Sequence, residues 1–340
     1  LSVAVRAHGG RLVHVVVTGA AGFLGTLLSR ALLGADRLSL AGAPATRLER
    51  LTLVDRFPPP DDLASDHRVE VVTGDLLELL AGDAGLLDGA SAVYHLAAAV
   101  SSECEQDFDL GMRANVDCSR LLLEAARALG TRPLLVFASS LAVYGAWPGQ
   151  ALPEVVTDTT LPTPRSSYGI QKLVVEQLVA DYTRKGFVDG RCVRLMTVSV
   201  RPGRPNAAAS GFLSGIVREP LNGERAVCPV PAETRVALSS PRRTLEGLLA
   251  ALTTSASEWG PPTAFALPAL ELTVAQMVAA LDEVGGAEAV ALIDWTPDQA
   301  VTDIVAGWPA RFDSERAARL GLTADTDYAD VIRQHLADAR

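Results

Sequence analysis

Cysteine is scarce: Cys104, Cys118, Cys192 and Cys228 are the four in 340 residues. No two have the spacing of a metal knuckle or a redox pair, and so few in so long a chain do not make a disulfide framework. They read as reduced thiols of a cytoplasmic protein. The five histidines include no HExxH pair, so no metal is expected. Cations are outnumbered, 30 Lys and Arg against 40 Asp and Glu, for a net charge of −10. That sign is wrong for a phosphate backbone, which excludes non-specific nucleic-acid binding. No apolar run approaches the ~20 residues that cross a bilayer, so no membrane partner is expected. The opening LSVAVRAHGGRL is too short and too polar for a secretory signal. It reads as a leader or extension ahead of the first strand.

What is abundant is apolar: 49% hydrophobic residues against 21% charged. Such a chain buries a sizeable core and is not disordered. Its length fits one large domain, or a main domain with a second lobe. Short β-branched runs alternate with amphipathic stretches. Strands are predicted at 11–19, 50–57, 67–76, 90–100, 132–140 and 190–200. Helices are predicted from Phe23 to a stop at Gly34, from Phe108 to Gly130, and through SSYGIQKLVVEQLVADYTRKG. The strands are continuously apolar, as in a parallel sheet covered on both faces. The predicted fold is therefore α/β, a doubly wound parallel Rossmann sheet with a smaller C-terminal α/β lobe for substrate. Residues 11–200 form the dinucleotide-binding domain, to which 236–254 returns through the helix in SSPRRTLEGLLAAL. Residues 201–235 and 255–340 form the lobe, with helices in TVAQMVAALDEVGG and SERAARLGL.

VTGAAGFLGTLLSR, Val17 to Arg30, carries three glycines between a strand and a helix. Gly19 permits the tight turn, Gly22 lets the backbone approach a pyrophosphate, and Gly25 lets the helix pack on the sheet. The helix N-terminus behind them favours an anion. The stretch resembles the cofactor loop of the extended, epimerase-like branch of the short-chain dehydrogenase/reductases, and the resemblance spans nearly the whole chain. It implies NAD as cofactor, with Gly19, Gly22, Phe23, Leu24 and Gly25 around the pyrophosphate. Asp55, at the end of the second strand, would accept from the adenosine ribose hydroxyls and repel a 2′-phosphate. Arg56 beside it is a cation of the kind that receives one. By the same resemblance Asp75 and Leu76 lie at the adenine, and Leu96, Ala97 and Ala98 lie along the dinucleotide. Ser139 stands near it and Asn115 is either a contact or structural. His95 reads as a packed strand residue.

In SSYGIQK, Tyr168 and Lys172 stand four apart on one helix face. An ammonium beside a phenol, helped by the positive nicotinamide, favours the phenolate, so Tyr168 reads as general base. Lys172 would also hold the nicotinamide ribose. Ser140, in VFASSLAVYG, falls at the family's catalytic Ser/Thr position.

Several departures narrow the reaction. Leu141 and Ala142 replace the Asp-Glu pair that nucleotide-sugar dehydratases use for elimination. Thr197 stands where epimerases carry asparagine, and no Tyr-Gly-Pro follows. VRPGRPNAAASGFLSGIVREPLNGERAVCPV and SSPRRTLEGLL resemble the branch that oxidises the 2-hydroxyl of D-erythronate to a 2-oxo acid. A carboxylate substrate needs a cation. Arg218, Arg235 and Arg242 are candidates, with Arg235 first by its match to an anion-binding position of relatives. Ser101 and Asn206 are candidates for hydroxyl contacts. The alternatives are a nucleotide-sugar epimerase and a cofactor-binding sensor without activity. The resemblance also implies a homodimer, paired through the helices carrying Asn115 and Tyr168.

Overall fold

A computed structural model of the chain describes residues 13–82, 85–203 and 210–338. The β-branched run Val13–Thr18 (β1) is buried along its whole length and forms the middle of the main sheet. Strands β2 (Thr46–Asp55) and β3 (Val69–Thr73) extend it to one side. Ala92–His95 (β4), Leu134–Ser140 (β5), Asp189–Leu195 (β6) and, later in the chain, Phe265–Ala266 extend it to the other. All these pairings are parallel, while Arg37–Leu38 runs antiparallel to β2. The sheet is thus doubly wound, and it reverses direction between β1 and β4, where Val15 faces Ala92 and Thr18 faces His95. A crevice opens at the strands' carboxyl ends at such a switch.

Helices cover both faces. Phe23–Ala35 (α1) and Pro241–Thr253 lie on one, burying Leu28, Leu32, Leu248 and Leu252 in a common core. Cys118–Ala128 (α2) and Ser167–Arg184 (α3) lie on the other, with Leu122, Val175 and Val179 buried. The 241–253 helix is pinned by the fully buried Arg191 of β6, which donates to the carbonyls of Ala251 (3.0 Å) and Thr254 (2.5 Å). A guanidinium there satisfies the free carbonyls of a helix C-terminus.

A second core gathers around Leu213, Val217, Leu238, Met277, Leu281 and Ile332. It rests on a three-stranded sheet, in which Arg235–Ser239 pairs parallel with Thr197–Val198 (β7) and antiparallel with Leu270–Thr273. Helix α4 (Phe212–Leu221) packs beside it.

Three local expectations are corrected. Helix α1 runs through Gly34 to Ala35 and ends at Asp36, whose φ is 53°; a glycine in a last turn costs propensity without stopping a helix. The predicted 108–130 helix runs without a break from Phe108 to Ala128, but its turn at Met112–Asp117 is π-helical rather than α-helical. The chain also rejoins the main sheet at Phe265–Ala266, inside the stretch assigned to the lobe, because buried Phe265 fills the core of that sheet.

Candidate active site

The crevice at the switch point has two halves that share Gly19, Gly22, Leu96 and Ala98. The half of about 630 Å³ is floored by Asp55, Asp75 and Leu76. The other, about 300 Å³, contains Ser140, Tyr168 and Lys172.

The glycine loop is shaped by close approach. Gly19 has φ +73°, and a Cβ on it would stand 2.6 Å from the Ala97 nitrogen. A Cβ on Gly25 would meet the Gly19 carbonyl oxygen at 2.1 Å. Gly22 starts α1 with no side-chain cap. The first-turn N–H groups, those of Phe23, Leu24 and Gly25, therefore have no intrahelical acceptor, and these residues line the smaller half. Unpaired donors at a positive helix end, beside a glycine that leaves room, fit a dinucleotide's pyrophosphate.

At the far end Asp55 accepts from the N–H of Ala21 at 2.9 Å, tying the strand end to the loop and leaving acceptor capacity for ribose hydroxyls. Arg56 does not face outward alone: its guanidinium donates to Asp75 at 2.6 Å. That pairing engages the cation that follows Asp55 in the chain, the kind that would welcome a 2′-phosphate, consistent with NAD.

Asn115 projects from the π-helical turn and is 3% exposed. Its carbonyl accepts from the Ala99 N–H at 2.8 Å, and its amide donates to Gln171 at 2.8 Å and to the Ala99 carbonyl at 3.2 Å. Its polar atoms are thus engaged within the protein, where they hold the Leu96–Ala99 strip beside the crevice. His95 is buried between Thr18 and Ser119, each 2.8 Å away, and burial pushes its pKa down to about 3. It is a neutral packing residue.

Ser140 ends β5 and Tyr168 opens α3. The Ser140 hydroxyl lines the same cavity as the Tyr168 phenol and acts to favour its phenolate. Lys172, one turn on, is buried; its Nζ donates to the Ala138 carbonyl at 2.9 Å and lies 5.5 Å from the Tyr168 ring centre. Sequence reasoning assigns the lowering of the phenol's pKa to this ammonium. In the protein itself burial pushes Tyr168 up to about 12, with the Ser140 hydroxyl and the Arg201 charge acting against it. Burial likewise brings Lys172 down to about 8. Both shifts have one cause: the site is dry, and each charged form loses hydration.

Behind the site lies an ion pair that the sequence did not announce. Arg194 of β6 grips Glu176 of α3 with two bonds, 2.9 and 2.7 Å, and donates to the Tyr144 hydroxyl at 2.6 Å. Glu176 also accepts from the Ser139 hydroxyl at 2.5 Å. Ser139 is therefore an anchor for the end of β5, fixing the backbone from which Ser140 projects.

The candidate substrate residues separate. Ser101 lines the smaller cavity. Arg218 is buried and turned away, bonding the Arg201 carbonyl at 2.7 Å and pairing with Glu219. Arg235 is exposed and paired with Glu271 at 2.8 Å, and Arg242 is exposed at the start of its helix; neither lines the cavity. Asn206 lies outside the described residues. Sequence reasoning passed over Arg201, Thr197 and Trp308, which do line it. Arg201 stands within the quoted VRPGRPN stretch, so the signal was present, but three arginines of the lobe drew the assignment.

The chain is similar to known proteins over nearly its whole length. The chain is 47% identical over 326 residues to a D-erythronate dehydrogenase of Cupriavidus necator, covering 96% of this chain and 98% of the relative. A D-erythronate dehydrogenase of Haemophilus influenzae is 40% identical over 324 residues, covering 95% and 98%. Among solved structures, a nucleoside-diphosphate-sugar epimerase from Agrobacterium tumefaciens superposes with a TM-score of 0.86 at 38% identity, over 98% of each chain. No helix among the described residues is long and apolar enough to cross a membrane. Residues 15–237, which hold the glycine loop, the Ser140–Tyr168–Lys172 set and the sheet beneath them, match the model of the NAD dependent epimerase/dehydratase family, and with this crevice and these relatives the chain belongs to that family, with NAD as its cofactor.

Proposed function

We propose that this NAD-dependent dehydrogenase oxidises the 2-hydroxyl of a small sugar acid, D-erythronate, to the corresponding 2-oxo acid. The observation that carries the reading is the Ser140–Tyr168–Lys172 set in a cavity of about 300 Å³, beside Leu141 and Ala142, which cannot move a proton. The names of the two long relatives agree with it.

When bound, NAD supplies the hydride acceptor, and the glycine loop, Asp55, Asp75 and Leu76 would hold it. The chain's own residues supply position and proton traffic. Ser140 hydrogen-bonds the substrate hydroxyl, and the Tyr168 phenolate takes the hydroxyl proton as the carbinol carbon becomes a carbonyl. The Ser140 hydroxyl and the Arg201 charge both favour that phenolate. Lys172, held by the Ala138 carbonyl, stands where it adds a positive charge on the same face. The reading also places the enzyme in the cytoplasm, in keeping with four buried free cysteines. It pairs two copies through α2 and α3, beside which Phe108, Ile170 and Val174 are exposed.

The test is NADH formation from NAD⁺ with a panel of four-carbon sugar acids, run beside UDP-glucose and UDP-galactose. A signal with D-erythronate is expected. Silence with every acid, together with interconversion of the UDP-sugars, overturns the reading in favour of an epimerase.

A further inference from the structure

Among the described residues, the smaller cavity is lined by two cations, Lys172 and Arg201, and by no carboxylate. Lys172 is committed: its ammonium donates to the Ala138 carbonyl at 2.9 Å and sits 4.7 Å from the Phe137 ring centre. Arg201 has its backbone clamped on both sides. Its N–H donates to the Ser214 hydroxyl at 3.0 Å, and its carbonyl accepts from Arg218 at 2.7 Å. Arg218 is in turn paired with Glu219. Both clamps come from α4, so the lobe presents the Arg201 side chain to the cavity from a fixed base.

We propose that Arg201 is the cation that receives the substrate's carboxylate, and so fixes oxidation at the adjacent carbon; this rests on the sugar-acid reading above. Burial pushes the Arg201 pKa down, and the neighbouring Arg218 charge acts the same way. Among the described residues no carboxylate pairs with it. A half-buried guanidinium without a counter-charge is costly, and a bound carboxylate supplies both the charge and two parallel acceptors. Arg201, Ser140 and Tyr168 line the same cavity of about 300 Å³, so an acid gripped there by its carboxylate has its 2-hydroxyl, one carbon on, within the space that Ser140 and Tyr168 share. The substrate class is then a 2-hydroxy acid, and neutral polyols and lactones lack the anchoring group. Arg218, Arg235 and Arg242 are left with structural or surface roles.

The test compares the parent with Arg201→Met, Arg201→Lys and Arg235→Met in D-erythronate oxidation, and titrates each with NADH by fluorescence. Arg201→Met is expected to raise KM about 100-fold or more, the usual cost of removing one member of a buried charge pair. Arg201→Lys is expected to recover part of it, since an ammonium keeps the charge but not the fork. NADH affinity is expected to stay within about twofold, which shows that the variants fold. A KM in Arg201→Met within twofold of the parent's overturns the inference while the function stands, as does a large rise confined to Arg235→Met. If the parent does not oxidise D-erythronate, the function reading fails by itself, and the NADH complexes are titrated with oxalate and D-glycerate. Binding by the parent and not by Arg201→Met then upholds the anchor, and equal binding or none by both overturns it.

Discussion

Replacing Arg194 by Met removes the partner of a buried carboxylate while leaving an apolar stem of similar reach. The Glu176 side chain is 2% exposed and the Arg194 side chain 6%, so water does not take over the lost bonds. Three hydrogen bonds go: two to Glu176 and one to Tyr144. Glu176 keeps the Ser139 hydroxyl as a donor, which does not balance a full charge. The expected loss is about 3–5 kcal/mol, a large share of the ~5–15 kcal/mol that holds a typical domain together. The assay is equilibrium urea unfolding with an unchanged m-value. The double variant Arg194→Met/Glu176→Met is expected to regain half the loss or more, because the uncompensated charge has gone. A single variant within about 1 kcal/mol of the parent, or a double variant worse than the single, refutes this account of how Ser139 and Ser140 are held.

Tyr168→Phe is expected to keep NADH binding and to lose about 10²–10⁴ in kcat; near-parental turnover of the sugar acid would sink the proton-transfer role. Gly19→Ala puts a methyl 2.6 Å from the Ala97 nitrogen at φ +73°. At least a tenfold loss of NADH affinity by fluorescence titration is expected, and parental affinity counts against the close-approach argument. Lys172 is depressed from 10.5 to about 8, so folding is penalised below pH 8 and the penalty fades as pH rises to 10.5. Lys172→Met is therefore more stable than the parent at pH 7 by an amount of the order of 3 kcal/mol, less the lost hydrogen bond. Thermal unfolding across that pH range should show the gap closing, and a constant gap disproves the desolvation argument.

The parts legible in the sequence are those with local signatures. The β1 run, the three glycines and the Tyr168–Lys172 spacing lie within single elements, where periodicity and turn chemistry are visible. The reverse holds for groups assembled across the chain. Glu176 and Arg194 sit on a helix and a strand, and nothing local distinguishes them from solvent-facing charges. The Arg56–Asp75 pair is likewise invisible until two strand ends meet. Phe265–Ala266 is a two-residue strand, too short for any alternation to register. The π-turn at Met112–Asp117 carries Asn115, whose partners Ala99 and Gln171 are distant in sequence, so nothing in the local helical pattern marks it. Arg235 drew attention by its match to relatives, while Glu271, which pairs with it, stands 36 residues away.

The Arg56–Asp75 pair bears on how this enzyme's cofactor preference can change over generations. Removing the Asp55 charge alone would free the ribose end from repulsion but leave Arg56 engaged with its neighbour. Neutralising Asp75 alone would release Arg56 while the Asp55 repulsion persists. Movement toward the phosphorylated dinucleotide therefore involves both positions, the carboxylate that repels and the neighbour that engages the cation.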